Sequence, residues 1–188
     1  NKSVTGVEMD GKRLCAVICT DVLTGEKTKY KAKLFADCSG DAVLSRLAGA
    51  EVMYGREAQS VFGESLAPKE HQKLVMGHSI RWYTEKTDAP SDFPDIGWGL
   101  ALDDTTYLNV YNGDWEQETG FARDMADDIE YIRDCGLRAI YSNWSYQKNH
   151  CKNKADFACY RLKWASALGG KRESYRVVGD YVLTQRDI

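Results

Sequence analysis

The sequence lacks several features that would assign it to other classes of protein. No apolar run approaches the ~20 residues of a membrane-spanning helix, and no signal peptide or lipidation signal is visible. Lysine and arginine number 25 against 28 aspartate and glutamate residues, so the chain has no basic excess for a nucleic acid. None of the six cysteines forms a Cys-x-x-Cys pair. We therefore expect no membrane and no nucleic-acid partner, and free thiols, with a disulfide bridge as the alternative if the parent protein is exported.

Catalytic and metal-binding signatures are missing as well. No Gly-x-Ser-x-Gly segment is present, which argues against an α/β-hydrolase. No Gly-x-Gly-x-x-Gly segment opens a strand–helix unit, so a complete dinucleotide-binding domain is excluded. The three histidines, His71, His78 and His150, are not spaced as metal ligands, and we predict no metal site.

The N-terminal region has the pattern of a three-stranded antiparallel meander over residues 4–33. Asp10-Gly11 and Thr24-Gly25 are typical hairpin turns, and each separates two runs of strand-forming residues. The turns and the alternation together predict two consecutive hairpins.

A strand, a tight turn and a short helix are predicted over residues 34–50. The turn is Ser39-Gly40-Asp41, with Asp41 as the helix N-cap and Gly49 as the residue after the helix. Such a unit directs backbone N–H groups at one spot and suits a phosphate or another anion. An ordinary capped helix after a strand would have the same pattern.

In the remainder of the chain, the sequence pattern predicts more strands than helices. A helix is expected over residues 119–135 and a polar loop over 143–156. Strands are expected over 74–84, 105–111, 157–168 and 173–183. This order predicts an α+β fold with an antiparallel or mixed sheet, and not a doubly wound one.

The C-terminal segment carries a second candidate site. In a strand, Arg172, Ser174 and Arg176 would project to one side, where two guanidinium groups could bind a carboxylate or phosphate. A surface strand with arginine–glutamate pairs is the structural alternative. The five tryptophans and eleven tyrosines also have two interpretations, since they suit either a sugar-binding cleft or an aromatic core.

The order of these segments resembles the FAD-dependent oxidoreductase family. The resemblance rests on Phe-Ala-Asp-Cys-Ser-Gly-Asp at 35–41, Gly-Arg-Glu at 55–57, Gly-Glu-Ser-Leu-Ala-Pro at 63–68 and the segment 169–183. It covers essentially the whole chain. In that family the last segment resembles Gly-x-Arg-Glu-(Ser/Thr)-Arg-Arg, and this chain has Tyr175 in place of an arginine.

The resemblance implies a part of an FAD-binding domain over residues 1–50 and a substrate-binding α+β domain over 51–188. It implies FAD as the cofactor of the full-length protein, with little or no binding by this chain alone. The implied FAD neighbours are Asp37, Ser39, Gly40 and Asp41, and the implied substrate-binding residues are Arg172, Glu173 and Arg176.

We expect the chain to be an internal fragment of an enzyme that transfers a hydride from a small-molecule substrate, with a sugar as one candidate, to flavin. Two alternatives stay open at this point. One is a non-catalytic module that binds a carbohydrate or a partner through its aromatic residues. The other is a polysaccharide lyase that uses tyrosine, histidine and arginine, with His78 and Arg172 as candidates.

Overall fold

The computed structural model describes residues 1–125, 127–172 and 174–188, and the chain divides into two compact units. Unit 1 comprises Asn1–Val75 and Glu173–Ile188, and unit 2 comprises Met76–Arg172. Helices are mixed with sheets whose described strand pairs are all antiparallel, so the fold is α+β, as predicted. The predicted functional division at residue 50 stays a prediction.

The helices and strands follow one another in an irregular order. They are β1 (Lys2–Asp10), β2 (Arg13–Asp21), β3 (Lys27–Lys31), α1 (Val43–Leu47), β4 (Val52–Tyr54), α2 (Gln59–Phe62), β5 (His78–Ser79), β6 (Trp82–Lys86), β7 (Asn112–Gly113), β8 (Glu118–Thr119), α3 (Ile129–Asn149), β9 (Tyr160–Ala165) and β10 (Tyr175–Val177), with 3-10 helices at Lys154–Phe157 and Gln185–Asp187.

Unit 1 is built on the predicted meander, which the structure confirms. Its strands lie in the order β1-β2-β3, with hairpin turns at Gly11 and Gly25. Ala16 and Cys19 of β2 are buried, and α1 packs against β1. A second, two-stranded sheet pairs β4 with β10, so the C-terminal segment belongs to the same unit as the N-terminal one.

Unit 2 packs α3 against two small sheets, β5-β8 and β7-β6-β9. Its core is aromatic and aliphatic, with Trp144 facing both Trp82 and Phe157. Gly136 allows close packing, because a Cβ at that position would lie 2.6 Å from Cγ1 of Ile80. No helix in the described ranges is long and apolar enough to cross a bilayer.

The strand predicted just before the Ser39-Gly40-Asp41 turn is absent. Residues 32–42 form no helix or strand, and the side chain of Leu34 is 88% exposed. The reason is local, because Asp37 accepts hydrogen bonds from the loop and from α1, and no described strand pairs with this segment.

The prediction for the long helix was wrong in position. We expected a helix over 119–135 and a loop over 143–156, whereas α3 spans Ile129–Asn149. Several of the polar residues that suggested a loop lie on the buried side of this helix. Asn143 and Gln147 are 2% and 0% exposed, and their amides hydrogen bond to backbone groups of another segment.

That other segment is the strand predicted over residues 105–111, which the structure also corrects. Leu108 donates its N–H to Asn143 Oδ1 (2.7 Å) and accepts from Asn143 Nδ2 (2.9 Å). Val110 accepts from Gln147 Nε2 at 2.9 Å. Two amide side chains thus take the place of a neighbouring strand, which no pattern of alternation reveals. The other predicted strands are shorter than expected, and are represented by β5, β6, β9 and β10.

Candidate functional site

The Asp37 carboxylate organises the turn that the sequence singled out. Its Oδ1 accepts from the N–H (3.1 Å) and hydroxyl (2.7 Å) of Ser39. Its Oδ2 accepts from the N–H (2.9 Å) and hydroxyl (2.8 Å) of Ser45 in α1. One side chain therefore ties the loop before Gly40 to the helix after it.

These hydrogen bonds stabilise the charged form of Asp37. Partial burial by itself raises the pKa of this carboxyl, but the hydrogen bonds from Ser39 and Ser45 outweigh it and lower the pKa to about 2. Asp37 is therefore ionised throughout the physiological range. The Ser39 hydroxyl, which donates to Asp37, accepts from the N–H of Val43 at 2.9 Å.

Gly40 lies at the exposed tip of the turn. Its φ is +79°, and a Cβ built there would meet no atom within 4 Å. A ligand can therefore approach the backbone at this point without a side chain in the way.

The predicted N-cap at Asp41 is wrong. Ala42 occupies that position, in the left-handed region at φ 52° and ψ 35°, and it makes no side-chain cap. Because Ser39 reaches the helix from further back, Asp41 is not needed there. The prediction for Gly49 is confirmed, since it follows the C-cap at φ 78°.

Asp41 instead interacts with the C-terminal segment. The hydroxyl of Ser174 donates to Asp41 Oδ1 and lies 3.4 Å from the carbonyl oxygen of Gly40. Ser174 is 1% exposed, so the donor of this hydrogen bond is buried. The sequence placed Ser174 in an anion clamp, and the structure gives it a different role, as a support for the turn.

The two arginines of the predicted clamp belong to different units. Arg176 pairs with Glu57 in unit 1 and donates to the carbonyl of Gly55 at 2.6 Å. Arg172 pairs with Glu118 in unit 2 at 2.5 Å. Glu173 lies outside the described residues. The substrate-binding role of all three stays a prediction. The arginine–glutamate pairs are also what the alternative, a surface strand without a binding role, would show.

Tyr175 replaces an arginine of the family pattern and has a clear structural role. Its ring lies 4.9 Å from that of Tyr54 on the paired strand β4, and the guanidinium of Arg46 in α1 stacks over it at 3.9 Å. Tyr175 thus links β10 to α1, which carries part of the turn. Sequence patterns gave no signal for this contact.

A family model for FAD dependent oxidoreductases matches residues 1–188. The chain belongs to the FAD-dependent oxidoreductase family. No curated protein and no solved structure is similar enough to match it. Membership of this family supports the assignment of the chain to a flavoprotein oxidoreductase. It also implies that the parent protein uses FAD as its cofactor.

The turn of this FAD-dependent oxidoreductase leaves space for a cofactor, but its side chains limit which cofactor groups can bind there. The open space beside Gly40 admits a ligand to the backbone. The turn carries the carboxylates of Asp37 and Asp41, and the Ser39 hydroxyl already donates a hydrogen bond to Asp37. A ribose hydroxyl, which can donate a hydrogen bond to a carboxylate, suits Asp41 better than a phosphate does.

His78, a candidate of the lyase alternative, is sealed inside unit 2. It is 1% exposed, and neither ring nitrogen has a hydrogen-bond partner among the described residues. Gly169 packs so closely that a Cβ there would lie 2.5 Å from His78 Nε2. A polymeric substrate cannot reach this ring in the present conformation, so the structure lends the lyase alternative no support at His78.

Proposed function

We propose that this chain forms part of an enzyme in which FAD accepts a hydride from a small-molecule substrate. The observation that carries the proposal is the open turn at Gly40, with its exposed backbone and the hydrogen-bonded frame of Asp37 behind it. The family match over residues 1–188 supports the same assignment.

Each residue of the turn has a distinct part in this proposal. Gly40 lets the cofactor approach the main chain, and Asp41 accepts a hydrogen bond from a cofactor hydroxyl while Ser174 holds its carboxylate in place. Asp37 and Ser39 keep the turn in shape and do not need to touch the cofactor. FAD, when bound, supplies the electron-accepting chemistry.

The substrate residues are proposed as Arg172, Glu173 and Arg176. Because Glu118 and Glu57 already neutralise the two arginines, an anionic substrate would have to compete with these carboxylates. A neutral substrate that hydrogen bonds to the existing ion pairs avoids that competition.

A pair of glycine variants tests the cofactor site. Gly40 and Gly25 have nearly equal positive φ values, +79° and +75°, and a Cβ meets no atom within 4 Å at either. Gly40→Ala and Gly25→Ala therefore impose similar backbone strain, but only the first places a methyl group in the cofactor's approach. The natural protein that contains this sequence is purified, and its flavin content and FAD affinity are measured.

We expect the natural protein to carry FAD, Gly40→Ala to weaken FAD binding at least tenfold, and Gly25→Ala to leave it unchanged. A natural protein that neither contains nor binds FAD would overturn the proposed function. Equal FAD affinity in the two variants would remove Gly40 from the site. The 188-residue chain alone is expected to bind FAD weakly or not at all, and a stoichiometric yellow flavin on it would contradict that expectation.

A further inference from the structure

A cavity of about 350 Å³ lies within unit 2, between the C-terminal half of α3 and the loop of residues 95–102. Ser142, Ser145 and Tyr146 line it from the helix, and His150 lines it from the residue that follows the helix. This volume is at the lower end of the range for small-molecule sites, so the cavity suits a ligand of one or two rings.

The wall that carries Asp95 is held in place from both sides. Ser145 accepts a hydrogen bond from the N–H of Ile96 at 3.2 Å and donates one to the carbonyl of Pro94 at 3.0 Å. Ser145 itself is 3% exposed. The backbone on each side of Asp95 is therefore attached to α3, which fixes the point from which its side chain extends beside the cavity.

The rest of this loop is attached in the same way. Ser142 accepts from the N–H of Leu100 at 2.7 Å, and Arg138 donates to the carbonyls of Trp98 (3.1 Å) and Gly99 (3.0 Å). A Cβ at Gly99 would lie 2.8 Å from Ser142 Oγ, so the loop comes as close to the helix as a glycine permits. The cavity is thus a preformed feature of the fold.

Polar groups in and beside the cavity are already hydrogen-bonded to one another. His150 Nε2 lies 2.8 Å from Asp95 Oδ2. The hydroxyl of Tyr146 donates to Asp104 at 3.3 Å, and that carboxylate also pairs with Lys152 at 3.2 Å. A ligand with hydroxyl groups can extend this network, because the Asp95 side chain is 63% exposed and its carboxylate has further lone pairs that accept hydrogen bonds.

The remaining lining is aliphatic. Ile96, Leu100, Ala101 and Leu102 contribute apolar surface beside the ring of Tyr146. A sugar ring combines what this cavity offers, since its C–H groups pack on apolar side chains while its hydroxyls hydrogen bond at the edge. We propose that this cavity is a binding site for a neutral carbohydrate of one or two rings. The proposal does not depend on flavin binding.

Calorimetric titration and saturation-transfer NMR on the 188-residue chain test this site. The probes are D-glucose, D-galactose, D-mannose and cellobiose. We expect saturable binding of at least one of them. Ala101→Trp, which fills the cavity without removing a hydrogen bond, is expected to abolish it, and Asp95→Asn is expected to weaken it at least fivefold.

Asp88→Asn is the matched control, because Asp88 is an exposed aspartate that precedes the same loop and does not line the cavity. It should bind the sugar as the parent chain does. Circular dichroism checks that each variant is folded. The proposal is overturned if none of the four sugars binds, or if a folded Ala101→Trp chain binds with unchanged affinity.

Discussion

Ser174 donates a hydrogen bond to the carboxylate of Asp41, a residue 133 positions away in the chain. The contact joins the two segments that sequence analysis identified separately, the turn at Ser39-Gly40-Asp41 and the C-terminal segment. Because the donor is buried and the acceptor is charged, the bond contributes to stability as well as to the shape of the turn.

Removal of this hydrogen bond should destabilise unit 1. We expect Ser174→Ala to lower the free energy of unfolding by about 1.5–3 kcal/mol, the usual range for a hydrogen bond to a charged group. Chemical denaturation measures it, with Ser60→Ala, at an exposed position in α2, as the control. In a double-mutant cycle with Asp41→Ala the two losses should be clearly less than additive. Additive losses would show that the contact does not stabilise the fold.

Acid should weaken the frame around Asp37. Its pKa is lowered from 3.8 to about 2 in the folded chain, so its contribution to stability is complete above the unfolded value and is lost as the pH falls toward the folded one. We expect a loss of about 1–2 kcal/mol between roughly pH 4 and pH 2, after allowance for solvent screening.

Unfolding of Asp37→Asn across the same pH range is the comparison. This variant should be less stable at neutral pH and should lack that part of the acid slope. Asp10→Asn, at an exposed hairpin position, should keep the slope of the parent chain. A slope that is identical in all three chains would contradict the prediction.

Ala42 carries backbone strain at the start of α1. An L-residue in the left-handed region costs about 1–2 kcal/mol, which glycine avoids. Relief of strain should offset the lost burial of one methyl group, so we expect Ala42→Gly to lie within about 0.5 kcal/mol of the parent chain. Ala16→Gly, in the buried part of β2, has no such compensation and should cost about 2 kcal/mol. Thermal unfolding distinguishes the two, and a large loss for Ala42→Gly would refute this account.

Lys148 connects the end of α3 to the segment that leads into β9. Its ammonium donates to the carbonyls of Phe157 (2.9 Å), Ala158 (3.0 Å) and Tyr160 (2.9 Å). We expect Lys148→Met to destabilise unit 2 by about 2–4 kcal/mol, because these carbonyls lose a charged donor. Lys152→Met, at a side chain that is 85% exposed, should change stability by less than about 0.5 kcal/mol. Similar effects of both variants would argue against a specific role for Lys148.

Local patterns predicted the parts of the fold that depend on neighbouring residues. The meander with its turns at Gly11 and Gly25, and the helix end at Gly49, follow from turn and cap preferences that act over a few positions. The same patterns located the turn at Gly40, and the structure leaves that turn open. Its role in FAD binding stays a prediction.

Patterns were misleading where distant residues supply the hydrogen bonds. Asn143 and Gln147 look like loop residues, yet they lie inside α3 because they satisfy the backbone of Leu108 and Val110. Polar residues on a buried face cancel the periodicity on which helix prediction depends. Ser174 was missed as a support of the turn for the same reason, since its partner is remote in sequence.

The sequence by itself determined the family, the α+β class and the sites of the sharp turns, since each of these is carried by short runs of adjacent residues. Only the tertiary structure decided the position of α3, the link from Ser174 to Asp41 and the pairing of Arg172 and Arg176 with different glutamates. Those features depend on which distant groups meet when the chain packs, and the free energy of burying a polar group with its partner is absent from any local pattern.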